Sequence, residues 1–180
     1  MRMWEYDIPL PSLNFSYPPF YPYTYSMKKD PSPLTFIDVD STWRIGIVAA
    51  AYYKEETDAL VQSAKETLLE AGIPDDQISE WSAPGSFEIP LIGECLAAAH
   101  EVDALIGIGI IVQGQTKHAD LLAQESARGI MDVSLRHGIP FAFEVLWVND
   151  LQEARERSEK GREAAIAVLH SLAEKARIHS

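Results

Sequence analysis

"DALIGIGIIVQGQTKHADLLAQESARG", Asp103 to Gly129, joins an almost wholly apolar run to a polar one with helical spacing. The run Asp103–Val112 is short, rich in isoleucine and does not alternate, which predicts a strand buried on both faces of a parallel sheet. The chain then passes through Gly114, Gln115, Thr116, Lys117 and His118 before a helix begins, with Ile130 and Val133 inward and Gly138 as its stop. A helix N-terminus presents unpaired N–H groups and a dipole that favour an anion, and the Thr116 hydroxyl and Lys117 add hydrogen bonds and charge. A histidine ionises near neutrality and can move protons there, so His118 beside an anion seat reads as a proton-transfer group. A plainer reading stays open, in which Thr116 caps the helix and His118 is a surface residue. The G-I-G of the strand lacks a third glycine opening a helix, and no GxxxxGK[ST] occurs, so neither nucleotide fingerprint is met.

Outward from this unit, strands and helices alternate. "WRIGIVAAAY" reads as a first strand, and "KEETDALVQSAKETLLEAG" as a helix with Ala59, Leu60, Ala64, Leu68 and Leu69 on one face, stopped at Gly72. "ISEWSAPG" is a second strand ending in a Pro-Gly turn, followed by a helix entered near Pro90. "PFAFEVLWV" is the fourth strand, and "DLQEARERSEKGREAAIAVLHSLAEKA" supplies one or two closing helices with Asp150 as N-cap. This order predicts an α/β protein, a three-layer α/β/α sandwich with a four-stranded parallel sheet of flavodoxin-like arrangement. Ligands of such sheets sit beyond the carboxyl ends of the strands.

With 180 residues, 47% of them hydrophobic, the chain can bury one core. A formal charge of −12 and a pI of about 4.7 argue against nucleic acid or an anionic membrane face as partner. The single cysteine, Cys95, excludes an intrachain disulfide, fits a reducing cytoplasm, and reads as core filler in a helix. No apolar run is long enough to span a bilayer and no signal peptide is evident, so a soluble cytoplasmic protein is expected. Residues 1–40, crowded with Pro, Tyr and Phe, read as an arm that is disordered or packed on a neighbouring subunit, with Met27 a candidate start; residues 41–180 form the domain.

The four strand ends carry the chemistry. The first delivers Tyr52 and Tyr53, an aromatic wall for a flat ring. The second delivers Gly85, Ser86, Phe87 and Glu88: a backbone open to close approach, N–H groups, and a carboxylate for hydroxyls. The third is the turn before His118, and the fourth is "LWVND". His100, His137, His170 and His179 lack the spacing of metal ligands, so no metal is expected. "EARERSEKGRE" is mainly a solvated face with Glu153 and Arg157 at i,i+4, though one of its arginines can reach a phosphate. Together these groups suit a phosphorylated small molecule and a planar ring.

The segments "RIGIVAAAYY", "SAPGSFEIP", "IGIGIIVQGQTKHAD", "GIPFAFEVLWVND" and "EARERSEKGREAA" resemble, in order and spacing, the lumazine synthase family of riboflavin biosynthesis over roughly residues 43–175. The resemblance implies a transferase that condenses 5-amino-6-(D-ribitylamino)uracil with 3,4-dihydroxy-2-butanone 4-phosphate. The products are 6,7-dimethyl-8-ribityllumazine, phosphate and water, and no metal or organic cofactor is needed. It implies His118 as proton shuttle, Gly114, Gln115 and Thr116 as the phosphate loop, and Arg157 as the arginine pairing with that phosphate. Tyr52 falls on the stacking aromatic, Ser86, Phe87 and Glu88 on the ribityl-binding stretch, and Ile111 and Val112 on backbone contacts to the ring. Phe143 falls on an aromatic given by the adjacent subunit, with Lys160 and Glu163 on polar contacts of that subunit. Self-association into pentamers or larger assemblies follows from the same resemblance.

The chain departs from the family pattern at Gln113, a substrate-binding position where arginine is common, at Tyr53 for asparagine, and at Ala119 for a bulky aromatic. Its segment between Arg157 and Lys160 is also shorter than the usual glycine-containing loop, so Arg155 is an alternative to Arg157. Two other readings share these residues. One is a non-catalytic lumazine or flavin binder that keeps the pocket. The other is a flavodoxin-like or receiver-type module with the architecture alone, although Ala51-Tyr52-Tyr53 stands where a receiver needs an acidic pocket.

Overall fold

Four short segments, three of them largely apolar, pair side by side in the computed structural model, which describes residues 37–180. They are β1 (Ile45–Ala50), β2 (Ile78–Ala83), β3 (Ala104–Val112) and β4 (Phe141–Val148), all parallel, in the order β2-β1-β3-β4. Between and after them run α1 (Lys54–Glu70), α2 (Ile89–Ala98), α3 (His118–His137), α4 (Leu151–Arg155) and α5 (Lys160–His179). The expected three-layer α/β/α sandwich with a four-stranded parallel sheet is the observed architecture. Most of the expected 1–40 arm, with Met27, lies outside the described residues; within 37–40, Ile37 and Val39 pack half-buried on the chain's own core beside Trp43.

The pleat sorts side chains onto two faces. Ile45 and Ile47 of β1 and Ala104, Ile106, Ile108 and Ile110 of β3 meet Leu60, Ala64 and Leu68 of α1 and Ala165, Val168 and Leu169 of α5. On the other face Val48, Ala50, Leu105 and Ile111 meet Ile89 and Leu96 of α2 and Ile130 and Val133 of α3. Gly107 and Gly109 point to this second face. A Cβ at 107 would lie 2.8 Å from Ile89 and 3.0 Å from Ile130, and one at 109 would lie 2.4 Å from the Ser86 hydroxyl. The G-I-G therefore lets α2, α3 and the turn after β2 seat directly on the sheet.

Helix ends follow their chemistry. Gly72, at φ 97°, ends α1 with its N–H on Leu69 O and the Ile73 N–H on Leu68 O, the paired bonds of a Schellman stop. Gly138, at φ 64°, ends α3, and Asp150 caps α4 by accepting the Glu153 N–H at 3.0 Å. Three expectations need correction. The first strand is shorter than "WRIGIVAAAY", because Ala51–Tyr53 already turn toward α1. Ala59 and Leu69 face outward: α1 buries Thr57, Leu60, Val61, Ala64 and Leu68, a stripe on the Leu60 side set by α5 lying against it. Cys95 is exposed, since α2 buries Ile89, Gly93, Leu96 and Ala97 and turns residue 95 away.

Candidate active site

Chain direction reverses its march across the sheet between β1 and β3, the place where open parallel sheets bind ligands. A cavity of about 410 Å³ lies there, at the carboxyl ends of the strands. Tyr52 and Tyr53 form one wall, Gly85 to Glu88 a second, Ile110 to Val112 the floor, and Gly114, Thr116 and His118 the third side.

Each wall has a local cause. Tyr53 adopts a left-handed backbone at φ 53° just before α1, which throws both rings outward at 6.5 Å between centroids. Tyr52 is 68% exposed, free to cover a ring. A Cβ on Gly85 would stand 3.5 Å from the Tyr52 ring and 3.2 Å from a Glu88 carboxylate oxygen, so the glycine keeps this corner narrow. The turn beyond it is fixed from behind: the fully buried Ser126 hydroxyl donates to the Ser86 carbonyl at 3.0 Å. The floor is backbone. The β1 register ends at Ala49 opposite Ile108, whereas β4 stays paired through Val112, so Ile110–Val112 is laddered along one edge only.

The turn after β3 is held at both ends. The Gln113 N–H donates to Val148 O at 2.8 Å, and the His118 N–H reaches the Thr116 hydroxyl at a long 3.4 Å. His118 is the first residue of α3, exposed and on the cavity. A Cβ on Gly114 would meet nothing within 4 Å, so the turn is open on that side. Among the described residues, no Lys or Arg lines the cavity, and its carboxylate is Glu88.

A profile of the family described as 6,7-dimethyl-8-ribityllumazine synthase matches residues 42–176, the span that builds all four strands and every wall of this cavity. The chain belongs to that family. A protein named 6,7-dimethyl-8-ribityllumazine synthase from Flavobacterium johnsoniae is 37% identical over 132 residues, 71% of this chain and 70% of that protein. One of the same name from Paracidovorax citrulli is 41% identical over 122 residues, 67% of this chain and 79% of that protein.

Set against the residues implied by the family pattern, the structure gathers one group and leaves another apart. Tyr52, Gly85, Ser86, Phe87, Glu88, Ile111, Val112, Gly114, Thr116 and His118 share the cavity. Gln113 and Gln115 lie in the same turn without lining it. Phe143 sits mid-strand on β4 opposite Gly107, 42% exposed. Arg157 follows α4 and is bound to Glu153, while Lys160 pairs with Glu163 at 2.5 Å in the first turn of α5. Arg155, the alternative arginine, lies 2.7 Å from Glu56 without the alignment of a hydrogen bond, an ion pair that turns it toward α1. Beside Lys160 and Glu163, burial pushes the Glu144 carboxyl up to about 7; Lys160 draws it down and Glu163 raises it further.

Ile110, Ala119 and Leu122 line the cavity as well, and sequence reasoning did not assign them. Ala119 and Leu122 were legible in principle, since with His118 they fall on one helical face. Among the described residues, no group of three or more His, Cys, Asp or Glu side chains could hold a metal ion, and no helix is long and apolar enough to cross a membrane.

Proposed function

We propose that this chain condenses 5-amino-6-(D-ribitylamino)uracil with 3,4-dihydroxy-2-butanone 4-phosphate to give 6,7-dimethyl-8-ribityllumazine, phosphate and water. One observation carries the assignment: an aromatic wall, a carboxylate-bearing turn and a histidine at a helix N-terminus face one cavity at the sheet's switch point. Tyr52 stacks on the pyrimidine, the free edge of Ile111 and Val112 hydrogen-bonds its rim, and Ser86 and Glu88 take the ribityl hydroxyls. Gly114, Gln115 and Thr116 seat the phosphate.

The reaction asks for no strong nucleophile, because one substrate brings an amine and the other a ketone. Holding the two in register contributes up to about 7–11 kcal/mol. His118 then takes the proton released as the amine adds and delivers it as water and phosphate leave, worth about 10²–10⁴ in rate.

A phosphate needs a cation, and among the described residues the cavity of a single chain has Glu88 but no Lys or Arg. This supports a site completed by a second copy, which brings Arg157, Phe143, Lys160 and Glu163. Exposed Phe143 and Trp147 on β4, with Leu121, Met131 and Leu135 on α3, supply apolar surface for that contact. We take the assembly to be a pentamer or a larger particle built from it. The lone cysteine suits a reducing compartment, so we place the enzyme in the cytoplasm.

Mixing purified protein with both substrates and following the fluorescence of the lumazine tests the reading. Turnover that tracks enzyme concentration is the expected result. Tight binding of the lumazine with no turnover would instead make the chain a binder.

A further inference from the structure

We propose that Trp147, used above only as apolar contact surface, is a positioning residue for the anion-binding turn and acts through Gln113. The Trp147 Nε1–H donates to Gln113 Oε1 at 2.8 Å, and Gln113 Nε2 donates to the Gly114 carbonyl at 2.9 Å. The amide has a single sensible orientation here. An indole N–H can only donate and a carbonyl can only accept, so Oε1 must face Trp147 and Nε2 must face Gly114. Each end of the relay fixes the other.

The relay starts on a rigid element. Trp147 stands opposite Ile111 in the β3–β4 ladder, and the Gln113 N–H continues that ladder onto Val148 O. Gln113 is therefore pinned by backbone and side chain together, one residue before the turn opens. The consequence for the turn comes from peptide geometry. In a planar trans peptide the C=O and the following N–H point in opposite directions. Holding the Gly114 carbonyl toward Gln113 turns the Gln115 N–H the other way. Gly114 lines the cavity, so the relay fixes the orientation of a peptide at the cavity's edge.

Gly114 most needs such a device. Nothing lies within 4 Å of where its Cβ would stand, and Gly114, Gln115, Thr116 and Lys117 are all exposed, so no packing chooses the peptide's orientation. With the relay, the turn presents one fixed peptide orientation to an oxyanion; without it, the peptide flips freely and part of the binding free energy goes into ordering it.

This inference rests on the proposed reading of the turn as a phosphate seat, and the experiment separates the two. Trp147→Phe removes the N–H and keeps the ring; Gln113→Met keeps the length and removes both hydrogen bonds. Each variant should raise KM for the butanone phosphate about three- to tenfold, the worth of one hydrogen bond, and leave kcat and the pyrimidine KM within about twofold. The double variant should be no worse than either single one, because both break one chain of contacts. A tryptophan that merely supports the fold would lower the thermal midpoint and move both KM values together. That pattern overturns the proposal, as does an unchanged phosphate KM or single effects that multiply in the double variant.

Inorganic phosphate gives the independent arm. Its titration should change the emission of the full chain, and the difference should vanish in Trp147→Phe while phosphate binding weakens. If the full chain makes no lumazine yet shows this response, the proposed reaction fails and the relay stands. If lumazine forms but phosphate leaves Trp147 emission unchanged and the variants bind phosphate normally, the relay fails and the reaction stands.

Discussion

Replacing Gly161 by alanine sets two known effects against each other, and the structure decides the sign. Alanine is the better helix former by up to about 1 kcal/mol, less in the first turn where Gly161 sits. Against this, a Cβ at 161 would lie 2.0 Å from the Leu60 carbonyl oxygen and 2.9 Å from the Ala64 nitrogen, both backbone atoms of α1. No rotamer change relieves a backbone clash, so α5 must back away from α1 by on the order of 1 Å. A gap of that size forfeits roughly a quarter to a half of the dispersion energy of each contact across it. The contacts at stake are those of Leu60, Ala64 and Leu68 with Ala164, Ala165, Val168 and Leu169, all buried. Overpacking of this kind costs about 1–3 kcal/mol in ordinary cores, and backbone atoms yield less than side chains, so a net loss of about 2–4 kcal/mol is expected. For a domain of this size that lowers the thermal midpoint by about 5–12 °C, read by circular dichroism at fixed protein concentration. Gly114→Ala, whose Cβ meets nothing within 4 Å, should leave the midpoint in place. A Gly161→Ala midpoint within about 2 °C of the unchanged chain contradicts the close approach of α1 and α5.

Glu144 gives a pH signature. Its carboxyl titrates near 7 in the folded chain and near the ordinary glutamate value when unfolded, so the folded state binds the extra proton between those limits. Stability from this group is complete below about pH 4.5 and is lost as pH rises through about 7. Glu144→Gln should therefore match the unchanged chain in thermal midpoint at pH 5 and exceed it at pH 8; equal gaps at both pH values would contradict the assignment. Arg155→Ala leaves the buried Glu56 carboxylate without its cation, and since Arg155 is half-exposed the loss should be about 1–3 kcal/mol in urea unfolding. A loss no larger for Arg155→Ala than for Arg155→Ala with Glu56→Gln would show the pair to be idle. On the proposed mechanism, His118→Ala should lower kcat about 10²–10⁴-fold without abolishing turnover, because orientation of the two substrates survives; an inactive variant that still binds both substrates would refute that division.

The strands and the β3–α3 unit were legible because buried parallel strands and helix stops leave short-range marks. Gly72 and Gly138 stand where left-handed backbone is required, and Asp150 where an N–H needs an acceptor. The outward turn of Ala59 and Leu69 was not legible. Thr57 and Thr67 are buried in their stead, satisfied by the Tyr52 and Ser63 carbonyls, and a pattern of apolar and polar letters treats such residues as solvent-facing. Cys95 failed for a related reason, its apolar neighbours being on a different side of α2. Half of the candidate site was readable from strand ends alone. Phe143, Arg157, Lys160 and Glu163 carry no local mark of a shared purpose, since one chain does not bring them to the cavity; only the family pattern ties them to it. Trp147 and Gln113 are far apart in sequence, and their bond follows from strand register rather than any motif.

The seat of Ser86 on Gly109 joins two properties that mutational surveys usually treat as separable. Any side chain grown at 109 pushes on the hydroxyl of a cavity residue, and any shift of that residue presses on the middle of the sheet. A screen for lost turnover should thus return positions deep in β3 alongside those that touch substrate. Conversely, a bound ribityl chain should brace the central strand, so that thermal resistance climbs with ligand concentration and a melting-point screen reports occupancy without any chemistry taking place.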